Sequence, residues 1–544
     1  MKKYILKLKS IIFIKIISDS IYIVAIAGIP YIIKMLFDYD FSKGSSGVVK
    51  LILLYLFAVG IGMAFQYISQ LHAWKLERKF NLLIRGDIVK SILEYDYKKF
   101  IERKISEYIS IINNDVEVSY KYISSAVDMV QSIIQIFIYG FYMFSIDKRI
   151  AIIIICCSLL TLFLPNLTSK ELSSRRKEHL DYVGSYIGKI KDLLEGFTNV
   201  NYETKDKILD NHNKTLLKTE NKLLYYGKFS TFANVFNGIC MYLLDISAFV
   251  LVAVLLLKKE ITIGTATATI AYIKEFTWPI RYIINDLTTM KSTKGINEKL
   301  IKLINEKGDT LDKKIDFNSN IKFSNVSVDF DNFKMDNFNF TFEKGKKYAI
   351  IGHSGSGKST VINLLMKYTE SSCGNITIDG EDIRKIDCNG IIACINQFEH
   401  VFADDFLNNV TIFKTYEEEK VGDIINYYQC DKLKDISRKE DCTELSGGEK
   451  QLLSLVKMKL LNRDIMILDE PFSALDFVNT LLMQNKVYTL DKKTMIVVTH
   501  DLSENNLAYF DEVIIIDDGH IIKSGASKEV LKSEEYNTLI SDVS

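Results

Sequence analysis

A glycine-rich run near the middle of the chain has the residue types and spacing of a phosphate-binding loop. The run GHSGSGKS, residues 352–359, follows the apolar stretch YAII and precedes VINLLM, so a strand and a helix would flank it. Glycines let backbone N–H groups turn toward a phosphate, and the start of a helix adds partial positive charge. The residues predicted to contact phosphates are Gly352, Ser354, Gly355, Ser356, Gly357, Lys358, Ser359 and Thr360.

Two side chains of this loop, and two carboxylates further along, could carry out phosphoryl chemistry. Lys358 would reach the β- and γ-phosphates of a nucleoside triphosphate, and the Ser359 hydroxyl would bind Mg²⁺. The apolar run IMIL, residues 465–468, ends in two acidic residues. Asp469 is placed to hold Mg²⁺, directly or through water, and Glu470 is the candidate general base for the attacking water.

A second candidate anion site, LSGGE at 445–449, comes just before the helical run QLLSLVKMKLL. A serine and two glycines at the start of a helix can bind an anion through free backbone N–H groups. One chain has no evident use for two phosphate sites. Two chains packed head to tail would use this turn of one chain to cover the nucleotide bound by the other. The residues predicted for that contact are Ser446, Gly447, Gly448 and Glu449.

The elements that must position these motifs lie in the second half of a chain of 544 residues, which is too long for one ordinary domain. Strand-like runs such as IMILD and MIVVTH alternate there with helical stretches, a pattern typical of a mostly parallel α/β sheet. A polar, aperiodic segment at about 305–320 is predicted to be a linker. Basic and acidic residues balance at 68 each, so we expect no nucleic-acid partner.

The first half of the chain contains six apolar stretches long enough to cross a bilayer. An even number of spans puts both termini on one side, and the basic N-terminus and the phosphate-binding half place that side in the cytoplasm. The two long, charged connections, about 74–120 and 168–233, would then be cytoplasmic. The predicted spans are 11–37, 48–73, 121–146, 149–167, 234–257 and 262–288.

Taken together, these motifs resemble a known family. The loop at 352–359, LSGGE at 445–449 and ILDEPFSALD at 467–476 resemble the nucleotide-binding domain of ABC transporters, and the six spans resemble the exporter-type membrane domain. The resemblance implies a multidomain fold: an all-α six-helix transmembrane domain over residues 1–310, followed by an α/β P-loop ABC ATPase domain over 311–544. It implies a multi-pass half-transporter of a bacterial cell membrane that uses ATP and Mg²⁺.

The resemblance also assigns the smaller motifs. Gln397 matches the glutamine that senses Mg²⁺ and faces the membrane domain, and Asp476 ends SALD, the D-loop, at the dimer seam. His500, after the run MIVVT, matches the histidine that contacts the γ-phosphate. Phe330 stands where an aromatic ring stacks on adenine, although Phe333 offers a second ring. The implied catalytic residues are Glu470, His500 and Gln397, and the implied metal ligands are Ser359, Gln397 and Asp469.

The cytoplasmic connections would contain short coupling helices that dock on the ATPase domains, which we place near 103–112 and 194–204. Two departures from the family pattern stand near the signature sequence. The region ISRKEDCTELSGGE lacks the acidic-glycine segment that exporters carry there, and Glu449 replaces the usual glutamine. Because the catalytic motifs are intact, a homodimer is the simplest assembly, with a heterodimer as the alternative.

Three functions compete at this stage. The first is export of a peptide, lipid or drug-like molecule by a dimer in the bilayer, through alternating access. The second is import on the same fold, as in metal-chelate uptake, and the third is an ATP-gated channel or sensor. An intact Glu470 favours turnover over gating. Within the spans, Asp245, Lys274 and Glu275 form either a structural ion pair or a contact with charged cargo.

Overall fold

The structure is a computed structural model of the whole chain. It divides the protein into two compact units, Met1–Glu94 with Lys104–Lys307, and Tyr95–Arg103 with Gly308–Ser544. The predicted domain boundary at 310 falls in the segment 307–310, which is outside the described residues. The residues that the structure describes are 1–152, 155, 165–306, 311–330, 333–396 and 400–543.

The first unit is helical throughout the part that the structure describes. Its side chains form two apolar cores. One is centred on residues such as Ala27, Tyr139 and Tyr272, and the other on residues such as Phe80 and Ile123. The helices are α1 (Lys2–Phe37), α2 (Ser46–Leu93), α4 (Ile105–Ser110), α5 (Val116–Ile146), α6 (Pro165–Glu195), α7 (Lys205–Leu257) and α8 (Ile263–Asn305), with a π-helical turn at Ile111–Asp115; α3 (Tyr97–Ile101) belongs to the second unit.

Three helical stretches among the described residues are long and apolar enough to cross a membrane: Lys3–Phe37, Ser46–Leu93 and Ile105–Ile146. They contain the first three predicted spans. The predicted span at 149–167 lies largely outside the described residues. The predicted fifth span lies within α7, which contains a shorter apolar helix, Ile246–Leu257. The predicted sixth span begins at Thr262, the N-cap of α8, and continues into that helix.

Among the residues that the structure describes, the second unit is an α/β domain with three sheets. The strands are β1 (Asp312–Lys313), β2 (Asn320–Phe330), β3 (Phe333–Glu343), β4 (Lys347–Ile351), β5 (Cys373–Ile378), β6 (Glu381–Asp382), β7 (Ile386–Asp387), β8 (Ile392–Ile395), β9 (Ile465–Asp469), β10 (Thr494–Val498), β11 (Glu512–Asp517) and β12 (His520–Ala526). The helices are α9 (Lys358–Leu365), α10 (Phe406–Thr411), α11 (Glu419–Tyr428), α12 (Asp431–Ile436), α13 (Gly447–Leu461), α14 (Phe477–Tyr488), α15 (Glu504–Leu507), α16 (Ser527–Val530) and α17 (Glu534–Val543).

The central sheet has the strand order β12-β11-β4-β10-β9-β8, and all its pairings are parallel except that of β11 with β12. Successive residues of a strand point to opposite faces, so each strand contributes to two cores. In β9, Met466 and Leu468 enter one core while Ile465 and Ile467 enter the other. Burial on both faces explains why these strands are continuous apolar runs. The expected helical domain followed by an α/β ATPase domain is therefore confirmed.

One predicted placement differs from the structure. The segment that packs with the ATPase unit is Tyr95–Arg103, upstream of the coupling helix that we expected at 103–112. In this unit the Tyr97 ring packs against the Tyr368 ring, with centroids 4.0 Å apart and planes tilted by 37°, and Lys98 Nζ lies 2.7 Å from Glu370. The helix α3 is short and carries two lysines, so its apolar periodicity is weaker than that of the following residues. The sequence pattern therefore favours the segment 103–112.

Candidate nucleotide-binding site

The phosphate-binding loop joins β4 to α9, as the sequence predicts. Gly352 has φ +152°, and a Cβ there would lie 2.0 Å from the Ile516 carbonyl oxygen of the neighbouring strand. Gly357 has φ +107°, and a Cβ there would lie 2.6 Å from the Phe333 ring. Both positions therefore require glycine, because the backbone passes too close to its neighbours for a side chain.

Lys358 is almost fully buried inside this loop. Its Nζ donates hydrogen bonds to the carbonyls of Gly352 at 2.9 Å and His353 at 2.7 Å. Burial lowers the pKa of Lys358, and the nearby carboxylates of Glu470 and Asp469 partly oppose this shift. The hydrogen-bond acceptors described for this ammonium group are neutral carbonyls, so the group retains its attraction for an anion.

The loop also holds an unsatisfied hydroxyl. Ser356 Oγ is buried and has no hydrogen-bond partner among the described residues. A buried polar group without a partner costs free energy, so a phosphate oxygen that accepted this hydrogen would relieve the cost. The loop thus fits a polyphosphate by its backbone shape, its lysine and this hydroxyl.

Two oxygen donors predicted to hold Mg²⁺ lie next to each other. Ser359 Oγ is 3.3 Å from Asp469 Oδ2, because the start of α9 faces the end of β9. Burial raises the pKa of Asp469, and the neighbouring Glu470 carboxylate raises it further, while the hydrogen bond from Ser359 acts in the opposite direction. Hydroxyl and carboxylate oxygens are the donors that Mg²⁺ prefers, and a cation here would offset the repulsion between the two carboxylates.

The proposed general base and the predicted switch histidine are also in contact. His500 Nε2 lies 2.9 Å from Glu470 Oε1. Glu470 has the left-handed φ of +48°, and its N–H donates to the Val498 carbonyl at 2.9 Å. Non-glycine residues adopt this conformation only where the surroundings enforce it, and such residues are frequent at functional sites.

The signature turn is a rigid helix start. Ser446 caps α13, with Glu449 N–H donating to its Oγ at 3.4 Å and Ser446 N–H donating to the Glu449 carboxylate at 2.8 Å. Hydrogen bonding from Ser446 lowers the pKa of Glu449. A Cβ on Gly448 would lie 2.6 Å from the Ala474 carbonyl oxygen, so the turn packs tightly on the D-loop of its own chain.

Asp476 is held within its own chain. It caps α14, accepting from Asn479 N–H at 3.0 Å, and Lys432 Nζ lies 2.6 Å from its carboxylate. The hydrogen bond from Lys432 is the main cause of its lowered pKa. The structure therefore gives Asp476 a helix-capping contact beside the D-loop.

One residue that the sequence analysis missed connects three motifs. Gln451, buried in α13, accepts from Ala474 N–H at 3.0 Å and donates to Ser473 Oγ at 3.1 Å and to the Glu470 carbonyl at 3.3 Å. It thus joins the signature helix, the D-loop and the residue proposed as general base. The signal was a single amide at the head of the apolar run QLLSLV, which only the three-dimensional contacts make informative.

Four predicted residues cannot be placed in the same detail. Gln397 lies outside the described residues. The side chains of Phe330, Asp245 and Lys274 are also outside what the structure describes, although their backbones lie in β2, α7 and α8. Glu275, next to Lys274, is exposed in the first unit.

The fold and the site define a P-loop ATPase fused to a helical membrane region. Two family models match the chain, "ABC transporter transmembrane region" at residues 10–280 and "ABC transporter" at residues 335–473. The chain therefore belongs to the ABC transporters, as a half-transporter of the exporter type. It is an integral membrane protein and an ATPase whose ATP hydrolysis is coupled to transport.

Similar proteins span nearly the whole chain. An ATP-dependent lipid A-core flippase of Photorhabdus laumondii is 25% identical over 538 residues, covering 92% of this chain and 90% of that protein. A multidrug export ATP-binding/permease protein of Staphylococcus aureus is 25% identical over 519 residues, covering 90% and 88%. The solved structure of a bacterial Atm1-family ABC exporter with ATP bound has the same fold, with a TM-score of 0.79, 16% identity and coverage of 100% of this chain and 98% of that one.

Proposed function

We propose that two copies of this chain form an exporter that uses ATP binding and hydrolysis to move an amphipathic molecule across a bacterial cell membrane, with the ATPase units in the cytoplasm. The observation that carries the proposal is the division of the site. Ser359, Asp469, Glu470 and His500 come together within one chain. The signature turn is separately built against the D-loop.

This division supports a head-to-tail dimer. The start of a helix such as α13 carries partial positive charge, and the geometry of this turn is fixed by the capping box. In a dimer, the turn of one copy would contact the nucleotide bound by the other copy. ATP would then favour the closed pair because it contacts both copies only in that state.

Within the closed pair, the hydrolytic groups of each site would come from one chain. Glu470 would accept a proton from the attacking water, and His500, 2.9 Å from its carboxylate, would orient that carboxylate or contact the γ-phosphate. Lys358 would contact the β- and γ-phosphates once its loop opens around them. Ser359 and Asp469 would hold Mg²⁺, with Gln397 as a further ligand, and the ion would neutralise charge on the phosphates.

The segment Tyr95–Arg103 offers a route from nucleotide to cargo. It packs in the ATPase unit through Tyr97 and Lys98, and the chain continues directly from it into α2 on one side and α4 on the other. The contact between Lys98 and Glu370 raises the pKa of Lys98, so the lysine is charged at cellular pH. Movement of the ATPase unit would thus pull on two membrane-unit helices.

The names of the relatives support an amphipathic cargo, since one is a lipid A-core flippase and another a multidrug export protein. Direction is tested with inside-out vesicles that contain the purified chain and an amphipathic fluorescent dye. We expect ATP to drive dye into the vesicle lumen, where the former outside face now lies. A matched preparation with Glu470→Gln serves as control and should not accumulate dye.

Three results would contradict the proposal in different ways. ATP-driven loss of preloaded dye would identify an importer. Dye movement down its gradient that needs ATP but not hydrolysis would identify a gated channel. A protein that splits ATP as an isolated single copy would remove the need for the dimer.

A further inference from the structure

A polar cavity of about 320 Å³ lies in the first unit between α1, α2 and α5. All its lining residues belong to the first unit, whereas the nucleotide site belongs to the second. Its walls combine charged groups, amides, hydroxyls and two aromatic rings. The lining residues that matter below are Lys15, Asp19, Tyr22, Ser69, Tyr120 and Asp128.

The depth of this cavity follows from the order of the helices. Lys15 and Asp19 lie near the N-terminal end of the span at 11–37, and Asp128 lies near the N-terminal end of the span at 121–146. Ser69 lies near the C-terminal end of the span at 48–73. In the topology proposed above, α1 and α5 leave the cytoplasm while α2 returns to it, so all these ends would be cytoplasmic. The cavity would then lie at the depth of the inner leaflet.

The cavity contains more negatively charged than positively charged side chains. Lys15 Nζ lies 2.9 Å from the Asp19 carboxylate and 3.2 Å from the Asp128 carboxylate. Ser69 also donates a hydrogen bond to Asp19. The lining thus contains two carboxylates for one ammonium group, and the cation is already bound by both.

Asp128 differs from the other two charged groups in its exposure. The side chain of Asp128 is 50% exposed, whereas those of Lys15 and Asp19 are 10% and 7% exposed. A further carboxylate, Asp286, is buried close by and accepts a hydrogen bond from Ser125. Excess negative charge at membrane depth is costly, and a positive group entering the cavity would lower that cost.

The rest of the lining suits the same kind of ligand. Tyr22 and Tyr120 both line the cavity. Aromatic ring faces attract cations, and this attraction strengthens where water is excluded. An anion would meet a net negative charge instead, because Lys15 is held by both carboxylates.

We propose that this cavity binds the positively charged head of the cargo, an ammonium or guanidinium group carried on an apolar chain. The inference rests on the proposed function, and it names the substrate class for that export. Asp128 is the specificity-determining residue, since its exposed carboxylate pairs with the head group. The Lys15–Asp19 pair fixes the carboxylate positions around it.

The first test measures binding without ATP. The full chain, in nanodiscs of zwitterionic lipid, is mixed with radiolabelled dodecylammonium, and dodecyl sulfate and dodecyl maltoside serve as competitors of equal chain length. We expect only unlabelled dodecylammonium to compete well. Asp128→Asn should raise the Kd for dodecylammonium about tenfold, because one charge-assisted contact is lost.

A matched variant separates this effect from a general change in charge. Glu117→Gln removes a carboxylate from the same helix, where Glu117 is exposed and pairs with Lys121 at 3.3 Å outside the cavity. We expect its Kd to equal that of the unchanged protein. Asp128→Asn should fold normally, since Lys15 keeps Asp19 as its partner.

The second test measures ATP hydrolysis in the same nanodiscs. Dodecylammonium should stimulate hydrolysis in the unchanged chain, and the concentration for half-maximal stimulation should rise about tenfold in Asp128→Asn. Equal competition by the sulfate or maltoside, or equal Kd values for Asp128→Asn and the unchanged chain, overturns the inference. Absence of hydrolysis in every sample would contradict the proposed function instead, because binding is measured without ATP.

Discussion

Two lysines, one in each unit, are almost fully buried beside carboxylates, yet their ammonium groups have different partners. Lys358 donates to two backbone carbonyls of the phosphate loop, and no ion pair is described for it within the ranges that the structure covers. Lys15 pairs directly with Asp19 and Asp128. The first lysine therefore keeps its charge for an incoming anion, whereas the charge of the second is already shared between two carboxylates.

The different partners of the two lysines indicate why each ammonium group is buried. A buried lysine that is held by neutral groups raises the free energy of the protein as long as no anion is bound. Binding of a phosphate offsets this free energy. A lysine between two carboxylates makes those carboxylates tolerable at membrane depth. Removing the two lysines should therefore affect different properties of the protein.

The largest expected effect is on stability. Lys15→Met leaves Asp19 buried without its cation, and breaking such a pair costs about 3–5 kcal/mol. We expect a marked fall in the free energy of unfolding, measured by chemical unfolding of the purified protein in detergent. Lys358→Met, the same change in the other unit, should cost less than about 2 kcal/mol because only hydrogen bonds to carbonyls are lost.

A double variant tests the reason for this difference. Lys15→Met combined with Asp19→Asn removes both charges and should recover most of the lost stability. A double variant no more stable than Lys15→Met would show that the ion pair is not the cause. In contrast, Lys358→Met should abolish binding of a fluorescent ATP analogue while the protein remains folded.

The next largest effect is on hydrolysis. Glu470→Gln removes the proposed base but keeps the size of the side chain, so the rate of ATP hydrolysis should fall by about 100-fold or more. ATP binding and ATP-dependent pairing of chains should remain, as measured by nucleotide binding and crosslinking. Glu449→Gln is the control, since glutamine can also complete the capping box, and its rate should stay within about twofold.

A smaller effect is expected from Gln451→Leu. The Ala474 N–H would lose its buried acceptor, at a cost of about 1–3 kcal/mol, and the Glu470 carbonyl would lose one of its donors. Because these groups position the D-loop and the base, kcat should fall about tenfold while the KM for ATP changes little. Asn409→Leu, which removes another buried amide of the same unit, should lower stability but not kcat per folded molecule. Equal losses of kcat in both variants would assign Gln451 a purely structural role.

The smallest effect concerns coupling. Tyr97→Ala removes a ring whose centroid lies 4.0 Å from that of Tyr368, an aromatic contact of about 1 kcal/mol. Hydrolysis should persist while dye transport per ATP falls, as measured in the vesicle assay. Tyr97→Phe keeps the ring and should behave like the unchanged chain. Transport that is unaffected by Tyr97→Ala would mean that this segment does not transmit motion.

The sequence alone determined the chemistry of the ATPase unit and the order of the two units. Lys358, Ser359, Asp469 and Glu470 belong to motifs whose spacing is set by a strand, a turn and a helix, so local sequence is enough to recognise them. The long apolar stretches likewise predicted membrane helices, because span length is fixed by bilayer thickness. Their roles in binding and hydrolysis stay predictions until the variants above are measured.

Only the tertiary structure decided which distant residues meet. The place of Tyr95–Arg103 in the ATPase unit depends on contacts with residues about 270 positions away. The bridge made by Gln451 and the grouping of Lys15 with Asp128 have no local signature either. Their partners come from other elements, and helix packing rather than motif spacing sets those distances. A single buried polar residue in an apolar run acquires meaning only when its neighbours in space are known.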